Sequence, residues 1–168
     1  VDAVVFGFLG RLNRDKGVLD LVKAFSMSAL QGRAVVLLVG PDEDGIEELV
    51  RTRHGEVEKH IRFAGFTPEP EKVVPAFDVF CIPSYREGFG SSVIEAAACG
   101  VPALASRIYG LTDAVEENVT GLMHEPGNIR EISEGLKRFA ADEPLRRQMG
   151  KAARERAWSR FSTERLVS

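Results

Sequence analysis

Short apolar runs alternate along the chain with longer stretches in which apolar positions recur at helical spacing. The first pair is a strand over Ala3–Leu9 and a helix over Val18–Ser28. The second is Ala34–Val39 with Gly45–Arg53, and the third Ile61–Ala64 with Glu69–Phe77. The second half keeps the rhythm: Val79–Ile82 precedes Ser91–Cys99, Pro102–Ala105 precedes Leu111–Glu117, and Thr120–His124 precedes Ile129–Ala141. A last helix is predicted over Pro144–Arg160. Such alternation predicts an α/β fold, a doubly wound parallel sheet of about six strands with helices on both faces. Val4-Val5-Phe6 and Val35 to Val39 are continuous apolar runs, as strands buried on both sides require. Two helix starts carry capping-box spacing, Asp44 with Glu47 and Ser92 with Glu95, in which each side chain satisfies a free backbone donor. No repeat, low-complexity tract or linker interrupts the pattern, so residues 1–168 read as a single domain.

In open sheets of this kind ligands lie beyond the carboxyl ends of the strands, so the loops that follow strands are the places to seek chemistry. After the first predicted strand, Gly10 and Gly17 bracket Arg11, Arg14 and Lys16 just ahead of a helix. Such a loop suits a diphosphate: glycine admits close backbone approach, the helix start offers free N–H groups, and Arg11 and Lys16 neutralise phosphate oxygens. A tight turn with solvated side chains fits the same residues.

After the fourth predicted strand, Pro83 to Ala96 sets Glu87 and Glu95 eight positions apart, around Gly88, Gly90 and a helix start. Glu87 can accept hydrogen bonds from sugar hydroxyls, and the amides of Gly88, Phe89, Gly90, Ser91 and Ser92 can face phosphate or hydroxyl oxygens. The plainer alternatives are an exposed loop acid at Glu87 and a helix cap at Glu95. Gly110 with Thr112 and Asp113 reads as an ordinary capped turn after the fifth strand. Gly65-Phe66-Thr67 offers backbone groups to a nucleobase, while the apolar Phe66 side chain is expected in the core.

Composition narrows these options. A chain of 168 residues with 44% hydrophobic content is one ordinary domain and buries roughly two thirds of its unfolded surface. Cys81 and Cys99 both lie in apolar stretches and are expected as packed thiols rather than a disulfide. A net charge of −3 with interspersed signs argues against nucleic acid or an anionic membrane as partner. No apolar run is long enough to cross a bilayer and no basic leader precedes one, so a soluble, cytoplasmic domain is expected. Asn118-Val119-Thr120 is accordingly not read as a glycan site. No His, Cys or Asp cluster has metal-ligand spacing. The chain starts at Val1 without methionine and runs straight into an apolar stretch, as a piece of a longer polypeptide would.

Taken in order, the pieces are Gly10-Arg11-Leu12 with Lys16-Gly17, then Arg62-Phe63-Ala64-Gly65-Phe66, then Pro83-Ser84 with Glu87, Gly88, Phe89, Gly90 and Glu95. Ala98-Cys99-Gly100-Val101-Pro102, Tyr109-Gly110 and Thr120-Gly121-Leu122-Met123 follow. This ordered set resembles glycosyltransferase family 4 (glycosyl transferases group 1), retaining enzymes of the two-domain GT-B architecture, and the resemblance spans essentially the whole chain. It implies the Rossmann-like carboxyl-terminal, donor-binding domain, with the amino-terminal acceptor domain absent from the chain.

On that resemblance Gly10, Arg11 and Lys16 would meet the donor diphosphate, Glu87 the hydroxyls of the transferred hexose, Glu95 the ribose, and backbone groups around Phe66 the base. The amides of Gly88 to Ser92 would serve sugar and phosphate. Arg11, Lys16 and Glu87 would carry catalysis, the two cations stabilising charge that grows on the leaving phosphate. The donor would be a nucleoside-diphosphate sugar used without metal or cofactor, for polysaccharide or glycolipid synthesis. Partners would be that nucleotide sugar and the chain's own amino-terminal domain, through which alone a membrane would be met, and the isolated domain would not turn over. A sugar-nucleotide epimerase shares the architecture, but the Glu87 to Glu95 arrangement favours transfer. Against a purely noncatalytic module stand Arg11, Lys16, Glu87 and Glu95 together.

Overall fold

A computed structural model describes residues 2–162. Val1 and the last six residues of the expected 1–168 domain lie outside the described residues. Six strands, β1 Val4–Leu9, β2 Ala34–Val39, β3 Ile61–Gly65, β4 Val79–Ile82, β5 Ala103–Ser106 and β6 Gly121–His124, form one sheet in the order β3-β2-β1-β4-β5-β6. Every pairing is parallel. The order reverses between β1 and β4, and a crevice opens at such a reversal because the loops leaving the two strands turn to opposite faces. The doubly wound α/β expectation is therefore met.

The longest pairing, Val4↔Ala34 through Leu9↔Val39, joins the two continuous apolar runs. Phe6, Phe8, Val36 and Leu38 pack on one face beneath α1 Val18–Met27, α2 Ile46–Arg53, the single turn α3 Gly55–Glu58 and α5 Ile129–Ala141. Phe80, Ile82, Ala103 and Ala105 pack on the other, beneath α4 Ser91–Ala98 and the segment Leu111–Val115. Phe6, Phe8, Phe25, Phe80 and Phe139 are fully buried, each contributing about 1.5–3 kcal/mol of transfer free energy. The final helix, α6 Glu143–Arg156, continues into a π-helical stretch, Ala157–Ser162, and sets Ala153 and Ala157 against Ala97.

Several local expectations differ from the fold. Glu69–Phe77 is not an α-helix but two 3-10 turns, Pro70–Lys72 and Val74–Ala76, since Pro70 and Pro75 each remove a backbone donor. Leu111–Glu117 forms turns rather than a helix, yet Leu111, Ala114 and Val115 are buried, so the helical spacing reported burial and not backbone. The α2 N-cap is Gly45, and the first amides of the helix, Ile46 and Glu47, donate instead to the two carboxylate oxygens of Asp42 at 2.7 and 3.0 Å. Asp44, the expected cap, accepts instead from the Arg14 amide at 2.9 Å. Ser92 lies inside α4, whose N-cap is Gly90 with no side-chain bond, so the Ser92–Glu95 capping box does not form. Cys81 is buried, and burial pushes its thiol well above the usual value, but Cys99 is exposed rather than packed. Among the described residues, no helix is long and apolar enough to cross a membrane.

Candidate functional site

The loops leaving β1 and β4 meet at the reversal of strand order. Asn13 caps a 3-10 turn, Arg14–Lys16, by accepting from the Lys16 amide at 3.0 Å, and this turn carries Lys16 toward the β4 side. Gly17 follows with φ 71°, and a Cβ there would lie 2.0 Å from the Pro83 carbonyl oxygen. Only glycine lets the two loops touch at this point. The Tyr85 amide donates to the Asp15 carbonyl at 2.8 Å and ties them a second time.

Across this junction Lys16 Nζ donates to Glu87 Oε1 at 2.8 Å, and Ser84 Oγ donates to the same oxygen at 2.8 Å. Both charged side chains are largely withdrawn from water, with 20% and 16% of their surface exposed. An ion pair so placed is stronger than an exposed one and holds both groups in a single geometry. Glu87 Oε2 has no protein partner among the described residues, so the carboxylate retains an acceptor. Ser84, fully buried just beyond β4, belonged to the quoted motif set but was given no role there.

Other expected residues take different positions. Arg11 is 62% exposed and its Nη1 lies 3.9 Å from Glu43 Oε2, on the loop after β2. Asn13 Nδ2 donates to the other oxygen of Glu43 at 2.9 Å, so Glu43 anchors the front of the β1 loop. Arg11 thus pairs with Glu43 rather than with Glu87. Glu95 is exposed on α4 with neither ion pair nor hydrogen bond among the described residues, so it is not spent on capping. Gly10 donates its amide to the Val39 carbonyl at 2.9 Å, at the very end of the β1–β2 ladder.

Gly88, Phe89 and Ser91 are exposed, Ser92 is half-buried, and Gly90 is buried. The amides at the start of α4 have no side-chain cap and remain available to an anion. Gly110, φ 93°, brings the loop after β5 alongside: a Cβ on it would lie 2.3 Å from the Gly88 carbonyl oxygen. Phe66, expected in the core, is 72% exposed, and Phe89 and Tyr109 are 91% and 89% exposed. All three rings stand on loops at the carboxyl ends of the strands. Tyr85 donates its phenol to Asp20 in the first turn of α1; that bond, with burial and the carboxylate charge, pushes its pKa up to about 12. Among the described residues no three His, Cys, Asp or Glu side chains gather as a metal site would need.

Chemically, the arrangement offers one cation fixed on an acid, a free carboxylate oxygen, a row of uncapped amides and exposed rings, all at one end of a parallel sheet. Such a set suits a polyhydroxylated ligand that carries a phosphate.

Known proteins place this arrangement in a family. The model of "Glycosyl transferases group 1" matches residues 1–156. N-acetyl-alpha-D-glucosaminyl L-malate synthase of Bacillus anthracis is 31% identical over 162 residues, covering 95% of this chain and 42% of the relative. The capsular polysaccharide biosynthesis glycosyltransferase CapM of Staphylococcus aureus is 33% identical over 171 residues, covering 97% and 43%. Among solved structures, Anabaena Alr3699/HepE in complex with UDP and glucose superposes with a TM-score of 0.84 at 26% identity, covering 99% of this chain and 48% of that one. The chain thus spans less than half the length of these relatives. With a family model matched over nearly its whole length, the chain belongs to group 1 of the glycosyl transferases.

Proposed function

We propose that this chain is the carboxyl-terminal, donor-binding domain of a family 4 glycosyltransferase. The enzyme transfers a hexose from a nucleoside-diphosphate sugar to an acceptor hydroxyl with retention of anomeric configuration. The observation that carries this reading is the Lys16–Glu87 contact of 2.8 Å at the point where the strand order reverses.

Donor phosphate competes with Glu87 for the Lys16 ammonium, which stays within reach of the leaving phosphate as its charge grows. Glu87, with one oxygen held by Ser84, presents the other to sugar hydroxyls. The α4 amides meet phosphate or sugar oxygens, Glu95 the ribose, and backbone groups beside Phe66 the base. Arg11, on an exposed side chain, swings from Glu43 onto the diphosphate when donor arrives. Ion pairing by Lys16 and Arg11 takes the part a metal plays elsewhere, so neither metal nor cofactor is needed. The UDP bound to the Anabaena neighbour supports a nucleotide as ligand.

Acceptor binding falls to an amino-terminal domain of the same polypeptide, as the limited coverage of relatives suggests. The 168-residue domain alone therefore binds donor without turnover. The complete enzyme works in the cytoplasm in polysaccharide or glycolipid synthesis, with no nucleic-acid partner and with membrane contact only through its other domain.

Calorimetric titration with UDP, GDP, ADP and their hexose conjugates tests this reading. One nucleotide series is expected to bind, and Lys16→Ala to weaken it about tenfold or more, the worth of one charge-assisted hydrogen bond. Equal affinity of Lys16→Ala and the parent domain would remove Lys16 from the site.

A further inference from the structure

The turn that follows β6 lies directly against the second loop of the candidate site. The Glu125 carbonyl oxygen closes this turn by accepting from the Asn128 amide at 3.1 Å, and His124 Nδ1 stands 3.0 Å from the same oxygen. A carbonyl only accepts, so Nδ1 carries a proton and donates. The turn contains Gly127, whose Cβ position lies 2.9 Å from Tyr85 Oη and 3.2 Å from Tyr85 Cε1. Its backbone is thus in contact with the tyrosine ring. Tyr85 in turn is fixed by Asp20 and Asp15 and stands two residues ahead of Glu87.

His124 is 1% exposed, and Ser106, its register partner on β5, is fully buried. His124 Nε2 and Ser106 Oγ are both buried without a partner among the described residues. A neutral ring protonated at Nδ1 leaves Nε2 an acceptor, and the serine hydroxyl is a donor. The two unpaired groups on neighbouring, register-paired strands are therefore complementary in donor and acceptor. A buried polar ring at a strand end, held at Nδ1 and with Nε2 facing the neighbouring strand's serine, fixes the start of the turn more narrowly than an aliphatic residue would.

We propose that His124 is a positioning residue for the Glu87 loop, acting through the Glu125–Asn128 turn and Tyr85, with Ser106 engaging its far ring nitrogen. The inference rests on the Lys16–Glu87 site being the donor site, but its test does not depend on any ligand.

Hydrogen exchange at the Tyr85 amide, which the Asp15 carbonyl protects, is to be measured in the 168-residue chain and in His124→Leu, His124→Asn, Tyr85→Phe and the His124→Leu/Tyr85→Phe double variant. Asparagine keeps a donor where Nδ1 stands. His124→Leu is expected to speed exchange at this amide about fivefold or more, in proportion to one lost hydrogen bond, and His124→Asn to restore it to within about twofold. The double variant should exchange no faster than Tyr85→Phe alone, since both act on one path. Should His124→Leu fail to fold, Gly127→Ala pushes a methyl into Tyr85 and is expected to loosen the same amide with His124 intact. Unchanged exchange in His124→Leu, additive effects in the double variant, or a Gly127→Ala chain with an undisturbed Tyr85 amide would each overturn the inference. Titration of the same variants with UDP keeps the two readings separate. A parent chain that binds no nucleotide counts against the proposed function, while the exchange rates alone decide the role of His124.

Discussion

Lys16, Gly17 and Glu87 depend on one another. Gly17 lets the Pro83 carbonyl approach, and this closeness is what puts Lys16 Nζ within reach of Glu87. Gly17→Ala is expected to destabilise the domain by more than about 1 kcal/mol, because it combines backbone strain at positive φ with a collision, and thermal melting reads the loss. His124 adds a pH dependence of definite sign. Burial, the largest cause, lowers its pKa below the ordinary histidine value; the Glu125 carbonyl, Glu131 of α5 and Asp20 of α1 oppose this, while Arg107 reinforces it. The unfolded chain then takes the proton more readily than the folded one. Stability from this residue is complete above about pH 6.5, the ordinary value, and is lost as pH falls toward the lowered value of the folded state. Urea midpoints between neutral and mildly acid pH should fall more steeply for the parent chain than for His124→Asn. Lys16 and Glu87 were legible in the sequence because glycines and a strand end flag such residues. The Arg11–Glu43 contact was not, because no local pattern marks Glu43, rather than Asp42 or Asp44, as the partner.

Helices and turns separate what periodicity can tell from what it cannot. β1 and β2 were plain because continuous apolar runs suit strands covered on both faces. Leu111–Glu117 misled because apolar spacing marks the buried side of a turn as well as that of a helix. Caps were the least legible feature, since Asp42 and Asp44 are both suitable acids near one helix start and only tertiary contact with the Arg14 amide divides their roles. Asp42→Ala should therefore cost about 0.5–2 kcal/mol by loss of the side-chain bonds to the first α2 amides. Ser92→Ala, a substitution inside a helix without a side-chain cap, should change unfolding free energy by less than about 0.5 kcal/mol. Chemical denaturation of the two variants side by side checks the contrast, and a Ser92→Ala cost equal to that of Asp42→Ala would restore the capping box. The uncapped α4 start leaves its amides open at the site.

At the scale of the whole molecule, the sheet reversal between β1 and β4 gathers residues from distant parts of the chain at one rim. Phe66, Phe89 and Tyr109 stand exposed on three successive strand-end loops, while fully buried phenylalanines fill both faces of the sheet. Large apolar rings left exposed at the carboxyl ends of the strands are a feature that ligand-binding surfaces share. The most direct test of the account is a map of backbone amide shifts on addition of the nucleoside diphosphate that binds most tightly. Shifts are expected to concentrate in Gly10–Gly17, Gly65–Thr67 and Tyr85–Ser92, and to shrink throughout in Lys16→Ala. Shifts confined to the far edge, around β6 and α5, or a map unaltered by Lys16→Ala, would contradict the assignment of the β1–β4 crevice as the donor site.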